Sequence, residues 1–268
     1  MPAPGKHMTV SRAAAKADPM VRKGKPMAKK VLRILGLGAH PDDMEWHCGG
    51  TLARYARAGH KVFICHVSNG DKGSFRYSSA ELARVRRKEA VAAARVVGAE
   101  SLTCDLPDGE VVLNVENERR VTEAIRRARP DVVIATDPND YHGDHRAVGE
   151  MAIHSTFMAT CPLYKTASRH LAKVPILYFC DTSSGVNFQP TEYVDITDFL
   201  AIKVRMMVAH KSQLAWIGQR HKSEVQQHVA EEFKATARFR GMQCGVKYAE
   251  AFRICPTAGR ATTCRVLP

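Results

Sequence analysis

Residues 30–50, KVLRILGLGAHPDDMEWHCGG, join an apolar run to a cluster of histidine and acidic side chains that two glycines close. The apolar part has the near-continuous hydrophobicity of a strand buried on both faces, so it predicts a first strand over 30–39. The glycines open a helical pattern over 50–59, which Gly59 ends. The titratable side chains therefore follow directly after a buried strand.

Strand-like and helix-like patterns alternate along the rest of the chain. Further strands are predicted at 60–68, 100–106, 131–137, 174–181 and 191–197, and further helices at 78–98, 114–130, 145–159, 198–214 and 224–241. This order predicts an α/β fold with a mostly parallel sheet and helices on both faces. Because ligands of such sheets bind beyond the carboxyl ends of the strands, the polar loops after the first four strands should meet at one edge.

More than half of the net charge of +13 lies in the first 30 residues. They hold eight Lys or Arg residues against Asp18 alone, a net charge of +7, and they are rich in Ala, Pro and Met. We interpret residues 1–30 as a basic, disordered tail and residues 31–268 as a single domain. A nucleic acid or an anionic surface is a possible partner for such a tail. A solvated extension is favoured, because the chain shows no aromatic–basic interleaving and no recognition helix.

Several protein classes are excluded or disfavoured by what the sequence lacks. No apolar run reaches the ~18 residues of a membrane helix, and the N-terminus has no signal-peptide core, so the protein is predicted to be cytoplasmic. None of the eight cysteines forms a CxxC pair, and several lie in apolar runs, which is typical of buried reduced thiols. GxSxG and HExxH motifs are absent, and Pro41 stands where a dinucleotide fingerprint needs glycine.

The HPDD sequence at 40–43 has the donors of a metal site. His40 and Asp43 are three residues apart, and Pro41 between them favours an extended His40, so one tight turn can aim both side chains at one point. A histidine nitrogen with a carboxylate oxygen suits Zn²⁺ and, less selectively, Fe²⁺ or Mn²⁺. Asp42 would then lie beside the metal, where it can take a proton from water.

The HGDH sequence at 142–145 supplies the missing donors. His142 and His145 are both candidates for the third ligand, and the one left over can stabilise an oxyanion or protonate a leaving group. Asp144 can orient one of the two imidazoles. Since both motifs follow strands of one parallel sheet, we predict a metal site that hydrolyses a carbonyl or phosphoryl bond.

The other titratable residues near the first motif are expected to have lesser roles. Glu45 is interpreted as a structural partner within the loop, His47 as solvated or a local hydrogen-bond donor, and Cys48 as a packing residue. Surface or core positions are expected for the histidines without sequence partners: His60, His66, His154, His210, His221 and His228.

The stretch AHPDDMEWHCGGTLARYARAGHKVFICHVSNGDKG resembles the opening of the PIG-L/LmbE-like family of zinc-dependent N-acetylglucosaminide deacetylases. HGDH is similar to the family's second motif, HPDH, with Gly143 in place of proline, and GVKYAEAF at 245–252 is similar to its closing segment. The resemblance implies a Rossmann-like three-layer fold and a Zn²⁺ cofactor. It also implies that His40, Asp43 and His145 are the metal ligands.

The same resemblance implies roles for the remaining site residues. Asp42 would be the general base, and His142 as an imidazolium would stabilise the oxyanion with Asp144 orienting it. Arg86, in an R-x-x-E pattern, would reach a sugar hydroxyl, and Asp108, in the LPDG loop, would contact the sugar. Either the protonated Asp42 or His142 would protonate the leaving amine.

The implied reaction is removal of the acetyl group from a small substrate that contains N-acetylglucosamine. GlcNAc-malate, a chito-oligosaccharide and a glycosylated metabolite are all compatible with the resemblance, and a homo-oligomer is expected from it. Two alternatives stay open: a metal-dependent hydrolase of another bond, such as a phosphoester, and a basic nucleic-acid or anionic-surface binding protein on the same fold.

Overall fold

The computed structural model describes residues 30–221, 225–257, 259–260 and 265–268. Within these residues, seven strands form one sheet: β1 (Arg33–Gly38), β2 (Lys61–Ser68), β3 (Glu100–Leu106), β4 (Val132–Ala135), β5 (Ile176–Cys180), β6 (Glu192–Asp195) and β7 (Ala249–Ile254). The helices are α1 (Asp43–Arg57), α2 (Ser79–Arg95), α3 (Val115–Ala128), α4 (Gly143–Met158), α5 (Leu200–Val208), α6 (Lys211–His221) and α7 (Val225–Cys244).

The strand order across the sheet is β3-β2-β1-β4-β5-β7-β6. The first five strands are parallel to one another, whereas β7 runs antiparallel to both β5 and β6. The chain winds outward from β1 to β3 and then returns to place β4 on the other side of β1. This reversal makes the carboxyl ends of β1 and β4 the switch point of the sheet, which is where such folds bind ligands.

Alternate residues of the central strands pack into two separate hydrophobic clusters, one on each face of the sheet. Leu35 and Leu37 face the cluster that includes residues of α3 and α4, while Ile34 faces the cluster that includes residues of α1, α5 and α7. Side chains of successive strand residues point to opposite faces, so an uninterrupted apolar strand must be covered twice. The result is a three-layer α/β fold with a mostly parallel sheet, which confirms the predicted fold class.

The helix that follows β1 begins earlier than predicted. It starts at Asp43 rather than at residue 50, and its first turn is separated from the rest by a non-helical residue, Cys48, with φ of −139°. The pattern at 50–59 identified only the second part, since the first turn has little apolar periodicity. At the junction, a Cβ added to Gly50 would lie 2.8 Å from Ile196, so the glycine permits the close approach of this chain segment.

Two further differences concern the second half of the chain. A single helix was predicted at 198–214, but the structure has two helices, α5 and α6. The break between them contains the fully buried His210. The segment around 245–252 was not predicted as a strand, but residues 249–254 form β7 between β5 and β6. Pairing of β7 with strands far away in sequence explains this, because the direction of such pairing is not a local property.

The N-terminal tail and the location of the protein are not described by the structure. Apart from Lys30, the predicted tail lies outside the described residues, as does Cys264. The seven described cysteines are free, in line with the expected thiols. Of the helices in the described part of the chain, none is long and apolar enough to cross a membrane. The domain boundary, the cytoplasmic location and a homo-oligomer stay predictions.

Candidate metal centre and active site

The loop after β1 is held in an unusual conformation by a buried arginine. Asp42 has φ of 147°, a region that side-chain-bearing residues rarely adopt. Arg86, on α2, donates hydrogen bonds to the carbonyl of Pro41 at 2.7 Å and to Asp42 Oδ1 at 3.1 Å. The carboxylate of Asp43 accepts a bond from the His40 backbone N–H at 2.7 Å. These bonds offset the cost of the strained turn and fix where its side chains point.

The three predicted ligands converge on one small space between β1 and β4. His40 Nδ1 lies 3.3 Å from His145 Nε2, and the carboxylate oxygens of Asp43 lie 3.5 Å from His40 Nδ1 and 3.3 Å from His145 Nε2. All three side chains are buried, with exposures of 9% or less. Two buried imidazoles and a carboxylate therefore share one centre.

The spacing of these donors fits a four-coordinate cation. With bonds of about 2.0–2.2 Å, the ligand atoms around tetrahedral zinc lie roughly 3.3–3.6 Å apart. The 3.3 Å between His40 Nδ1 and His145 Nε2 matches this spacing, and Asp43 presents Oδ2 to His40 and Oδ1 to His145. Ligand atoms of His40, His142 and His145 also lie within 4.8 Å of one another, as do those of His40, Asp108 and Asp144. The residues present therefore fit a metal ion, while the choice of donors and the identity of the metal stay proposals.

Each of the two imidazoles has a carboxylate on its far nitrogen. His40 Nε2 lies 3.1 Å from Asp108 Oδ1 and 3.2 Å from Asp144 Oδ2. His145 Nδ1 lies 3.2 Å from Asp140 Oδ2. Such partners fix the tautomer and the ring orientation of metal-binding histidines. Sequence reasoning missed Asp140, whose only signal was one more aspartate in the loop after β4.

The electrostatics of the cluster favour a bound positive charge. Burial alone would lower the pKa of His40 and His145, but Asp43 and the neighbouring carboxylates overcome this. The pKa of His40 rises well above its usual value and that of His145 rises to about 9. Burial would raise the pKa of Asp43, yet the two imidazoles bring it well below its usual range. The same negative field that holds protons here would hold a cation.

Asp42 stands next to this centre with different properties. Burial raises its pKa above the usual aspartate value, with Arg86 opposing and Asp43 reinforcing the shift. A base is most effective when its pKa lies near the working pH, so the raised value suits proton abstraction from water. Asp42 and Asp43 are thus adjacent carboxyl groups whose pKa values are displaced in opposite directions.

Comparison with known proteins places this centre in a family. A family model described as PIG-L, GlcNAc-PI de-N-acetylase, matches residues 35–156, which include β1, β4 and both motifs. Residues 35–156 form a PIG-L family domain. The chain is 26% identical over 236 residues to the diacetylchitobiose deacetylase of Thermococcus kodakarensis, covering 84% of each chain.

Two further relatives are named as a deacetylase and as a hydratase. A solved structure of N,N'-diacetylchitobiose deacetylase from Pyrococcus horikoshii superposes with a TM-score of 0.71 and 28% identity, covering 83% of each chain. The 4-oxalmesaconate hydratase of Pseudomonas putida is 25% identical over 190 residues, which is 68% of this chain and 74% of the relative. The family match and the deacetylase relatives support deacetylation, whereas one relative is named for adding water.

The two residues predicted to contact sugar lie deeper in this PIG-L site than expected. Arg86 is 2% exposed, and it donates hydrogen bonds to the Pro41 carbonyl, to Asp42 and, at 3.4 Å, to the Gly70 carbonyl. The Asp108 carboxylate contacts His40. Both side chains nevertheless line the site pocket. Their sugar contacts stay predictions, and the structure adds a local role to each.

His142 and Asp144 are arranged differently from the expectation that one orients the other. The Asp144 carboxylate lies 3.2 Å from His40 Nε2 and accepts a bond from the Gly109 N–H at 2.8 Å. Instead, the Asp144 backbone N–H donates to His142 Nδ1 at 3.3 Å, which leaves the proton on Nε2. Burial, with the charged His40 and His145, lowers the pKa of His142, which favours its neutral form. The expected role of His142 as an imidazolium stays a prediction.

Behind the loop, Glu45 forms a fully buried cluster with two histidines. Its oxygens lie 3.4 Å from His210 Nε2 and 3.7 Å from His66 Nε2, and neither histidine is more than 1% exposed. Glu45 is therefore a structural partner as predicted, although its partners come from β2 and from the break between α5 and α6. The break places His210 beneath the first turn of α1.

The centre opens into a pocket of about 730 Å³. Its wall includes aromatic side chains from three parts of the chain: Trp46, Tyr141 and Trp216.

The expectation of a solvated His47 is wrong, since this residue is 8% exposed and lines the pocket. Burial and the neighbouring charged His145 lower the pKa of His47 to about 4. The kink at Cys48 explains the error, because the sequence does not show that the first turn of α1 is separate.

Proposed function

We propose that this PIG-L protein is a zinc-dependent deacetylase that removes the acetyl group from a GlcNAc-containing glycoside. The observation that carries the proposal is the convergence of His40 Nδ1, His145 Nε2 and the Asp43 carboxylate, with Asp42 beside them. His40, Asp43 and His145 would hold the ion, and His142 would stay outside this set. A donor set of two imidazoles and one carboxylate favours Zn²⁺, with Fe²⁺ as the alternative.

The bound cation would polarise the amide carbonyl and lower the pKa of a water molecule. The protein's own contribution begins with Asp42. Its carboxylate takes a proton from the attacking water, and its contact with Arg86 keeps it aimed at this position. Because the turn is locked, little reorganisation accompanies the proton transfer.

His142 supports the same step from the other side of the pocket. Its Nε2–H can donate to the oxygen that gains negative charge as the carbonyl carbon becomes tetrahedral. A neutral His142 must keep its Nε2 proton in order to donate a hydrogen bond to this oxygen. The amine nitrogen is therefore protonated by Asp42, which carries the proton taken from water. The carbon–nitrogen bond then breaks, and acetate and the free amino sugar leave.

The shape of the pocket supports a glycoside as the substrate. Trp46, Tyr141 and Trp216 offer flat apolar faces, and Lys72, Gln213 and Glu232 add polar groups to the same wall. Sugar binding commonly needs both, because a pyranose has an apolar face and a polar edge. The two deacetylase relatives act on a diacetylated disaccharide according to their names, which supports a soluble GlcNAc glycoside here.

An acetate-release assay tests the proposal. Zinc-loaded protein would be given GlcNAc, N,N'-diacetylchitobiose, GlcNAc-malate and a phosphodiester, and acetate and free amine would be measured together. We expect both products in equal amounts from at least one acetamido sugar. Chelation should abolish the release and Zn²⁺ should restore it. No acetate from any acetamido sugar would reject the proposal, and phosphate-ester cleavage would favour the other hydrolase.

Hydration of a carbon–carbon double bond is the second candidate, because one relative is named 4-oxalmesaconate hydratase. A base beside a polarised water serves that reaction as well. The two reactions differ in their products, since hydration releases no acetate. Loss of the ultraviolet absorbance of 4-oxalmesaconate, with no acetate from the sugar panel, would establish this second candidate.

A further inference from the structure

His47 occupies a position that none of the roles above uses. It follows Asp43 by four residues, so both side chains lie on the same face of the first turn of α1. Its ring meets the ring of His145 edge-on at 5.9 Å.

A second, much smaller cavity lies behind this residue. Its volume is about 30 Å³, and it shares Trp46, His47 and Ser184 with the site pocket. These residues therefore form the wall between the two spaces. The volume of the small cavity is a small fraction of the volume of the site pocket, so little room lies behind His47.

The far side of the small cavity is fixed by buried ion pairs. Lys203 Nζ lies 2.7 Å from Glu250 Oε1, and Arg240 donates bonds of 2.6 and 2.9 Å to Asp181. Trp46 is held edge-on against Phe233 at 4.8 Å. Buried charged pairs of this kind are costly to separate, so the far side of the small cavity does not move easily. Only the wall that contains His47 can set how far the pocket extends inward.

The orientation of an amide substrate follows from its two unequal ends. The sugar is the larger end and must point along the pocket toward solvent, where Tyr141 is 74% exposed. With the sugar outward, the acyl chain would point inward, toward the buried side chains next to His145. His47 is the buried wall residue found there.

We propose that His47 is the residue that limits the acyl group to acetyl, by closing the inner end of the pocket. The inference rests on the proposed function and adds a specificity for acyl length to it. His47 acts through its bulk, so a side chain of similar size should preserve the limit and a small one should remove it.

The test compares acyl lengths on one sugar. The N-acetyl, N-propionyl and N-butyryl forms of the amino sugar that releases acetate fastest would be given to the wild type, His47→Ala and His47→Phe. One methylene in a closed pocket changes kcat/KM by roughly 10–200-fold. We expect the propionyl-to-acetyl ratio to rise at least about tenfold in His47→Ala and to stay near the wild-type value in His47→Phe.

Controls separate this inference from the proposed function and from misfolding. His154→Ala, on the exposed side of α4, should leave the ratio unchanged, and metal content and thermal melting would be measured for every variant. Inhibition of the wild type by free acids gives a readout without mutation: acetate should inhibit and butyrate should not. An unchanged ratio in His47→Ala, a relaxed ratio in His47→Phe, or inhibition by butyrate would overturn the inference. Absence of acetate release by the wild type would instead reject the proposed function.

Discussion

Arg86 donates a 3.1 Å hydrogen bond to Asp42 from a position where only 2% of the arginine surface is exposed. The guanidinium also holds the carbonyl of Pro41, so it fixes both the backbone and the side chain of the proposed base. A residue expected to bind sugar is thus also a support for proton transfer. This dual position leads to the first prediction.

Replacing Arg86 by Met should affect turnover more than substrate binding. Arg86 lowers the pKa of Asp42 against the raising effect of burial, so its loss raises that pKa further. Because the base must be ionised, the acid limb of the kcat/KM profile should move to higher pH. We expect kcat to fall by about 10–100-fold with a smaller change in KM, and Arg86→Lys to recover part of it. A large rise in KM with an unmoved acid limb would show that sugar binding is its main role.

Asp42→Asn should separate metal binding from catalysis. The substitution keeps the size of the side chain and removes the base, while His40, Asp43 and His145 keep their positions. General-base catalysis contributes about 10²–10⁴-fold, so kcat should fall by that range. Metal content measured by plasma emission should match the wild type. Turnover near the wild-type rate with full metal content would contradict the base assignment.

Asp140→Asn should weaken metal binding without touching a proposed ligand. The Asp140 carboxylate lies 3.2 Å from His145 Nδ1 and accepts hydrogen bonds from the backbone N–H groups of His142 and Ser183. Loss of such a partner typically costs about 10–100-fold in metal affinity. Competition with a chromogenic chelator would measure it. Asp198→Asn, at an exposed aspartate, is the matched control, and equal affinities for the two variants would refute the role.

Glu45→Gln should lower stability in a limited pH range. Burial would raise the pKa of Glu45, but His210 and His66 bring it well below its usual range, so its contribution is lost as pH falls below about 4.5. Burial would lower the pKa of His210, but Glu45 raises it, so that contribution is lost as pH rises through the raised value. The difference in unfolding free energy should be largest between about pH 4.5 and 6.5.

Breaking a buried ion pair from one side costs about 3–5 kcal/mol, which sets the scale of this effect. Urea unfolding of the wild type and of Glu45→Gln at pH 4, 5.5 and 9 would measure it. A difference that is constant across the three pH values would show that the cluster is not ionised in the folded protein.

Gly149→Ala should lower the stability of the protein and displace the contact between α4 and the loop after β4. A Cβ at this position would lie 2.6 Å from the Pro138 nitrogen and 2.7 Å from the Thr136 carbonyl oxygen, which are backbone atoms that cannot turn aside. We expect a loss of about 1–3 kcal/mol in denaturant unfolding and weaker metal binding through His145. Gly143→Ala, where the nearest atom is 4.0 Å away, is the control and should be close to neutral.

The parts of the fold that were predicted correctly depend on local patterns. Strands such as β1 and β4 are uninterrupted apolar runs, and α2 and α3 are bounded by clear capping and terminating residues, Ser78 and Asn114 among them. The rule that parallel strands end at one edge then placed residues 40–43 and 142–145 together. In contrast, β7 and the break at His210 depend on distant partners, which no local pattern encodes.

The same distinction holds within the site. His40, Asp43 and His145 were named from motif spacing and resemblance, and the structure brings them together. Asp140 was missed and His47 was interpreted as solvated or a local hydrogen-bond donor, because the contacts of both residues are made across the fold and not with neighbours in sequence.

The switch point of the sheet also has a mechanical consequence. His40 and His145 are 105 positions apart in the chain, on loops after strands that lie side by side. An ion held by both would act as a cross-link that closes a long loop, and long loops lose the most entropy when they are closed. Metal would then slow the separation of β1 from β4, so resistance to proteolysis would report on occupancy of the site even where no substrate is known.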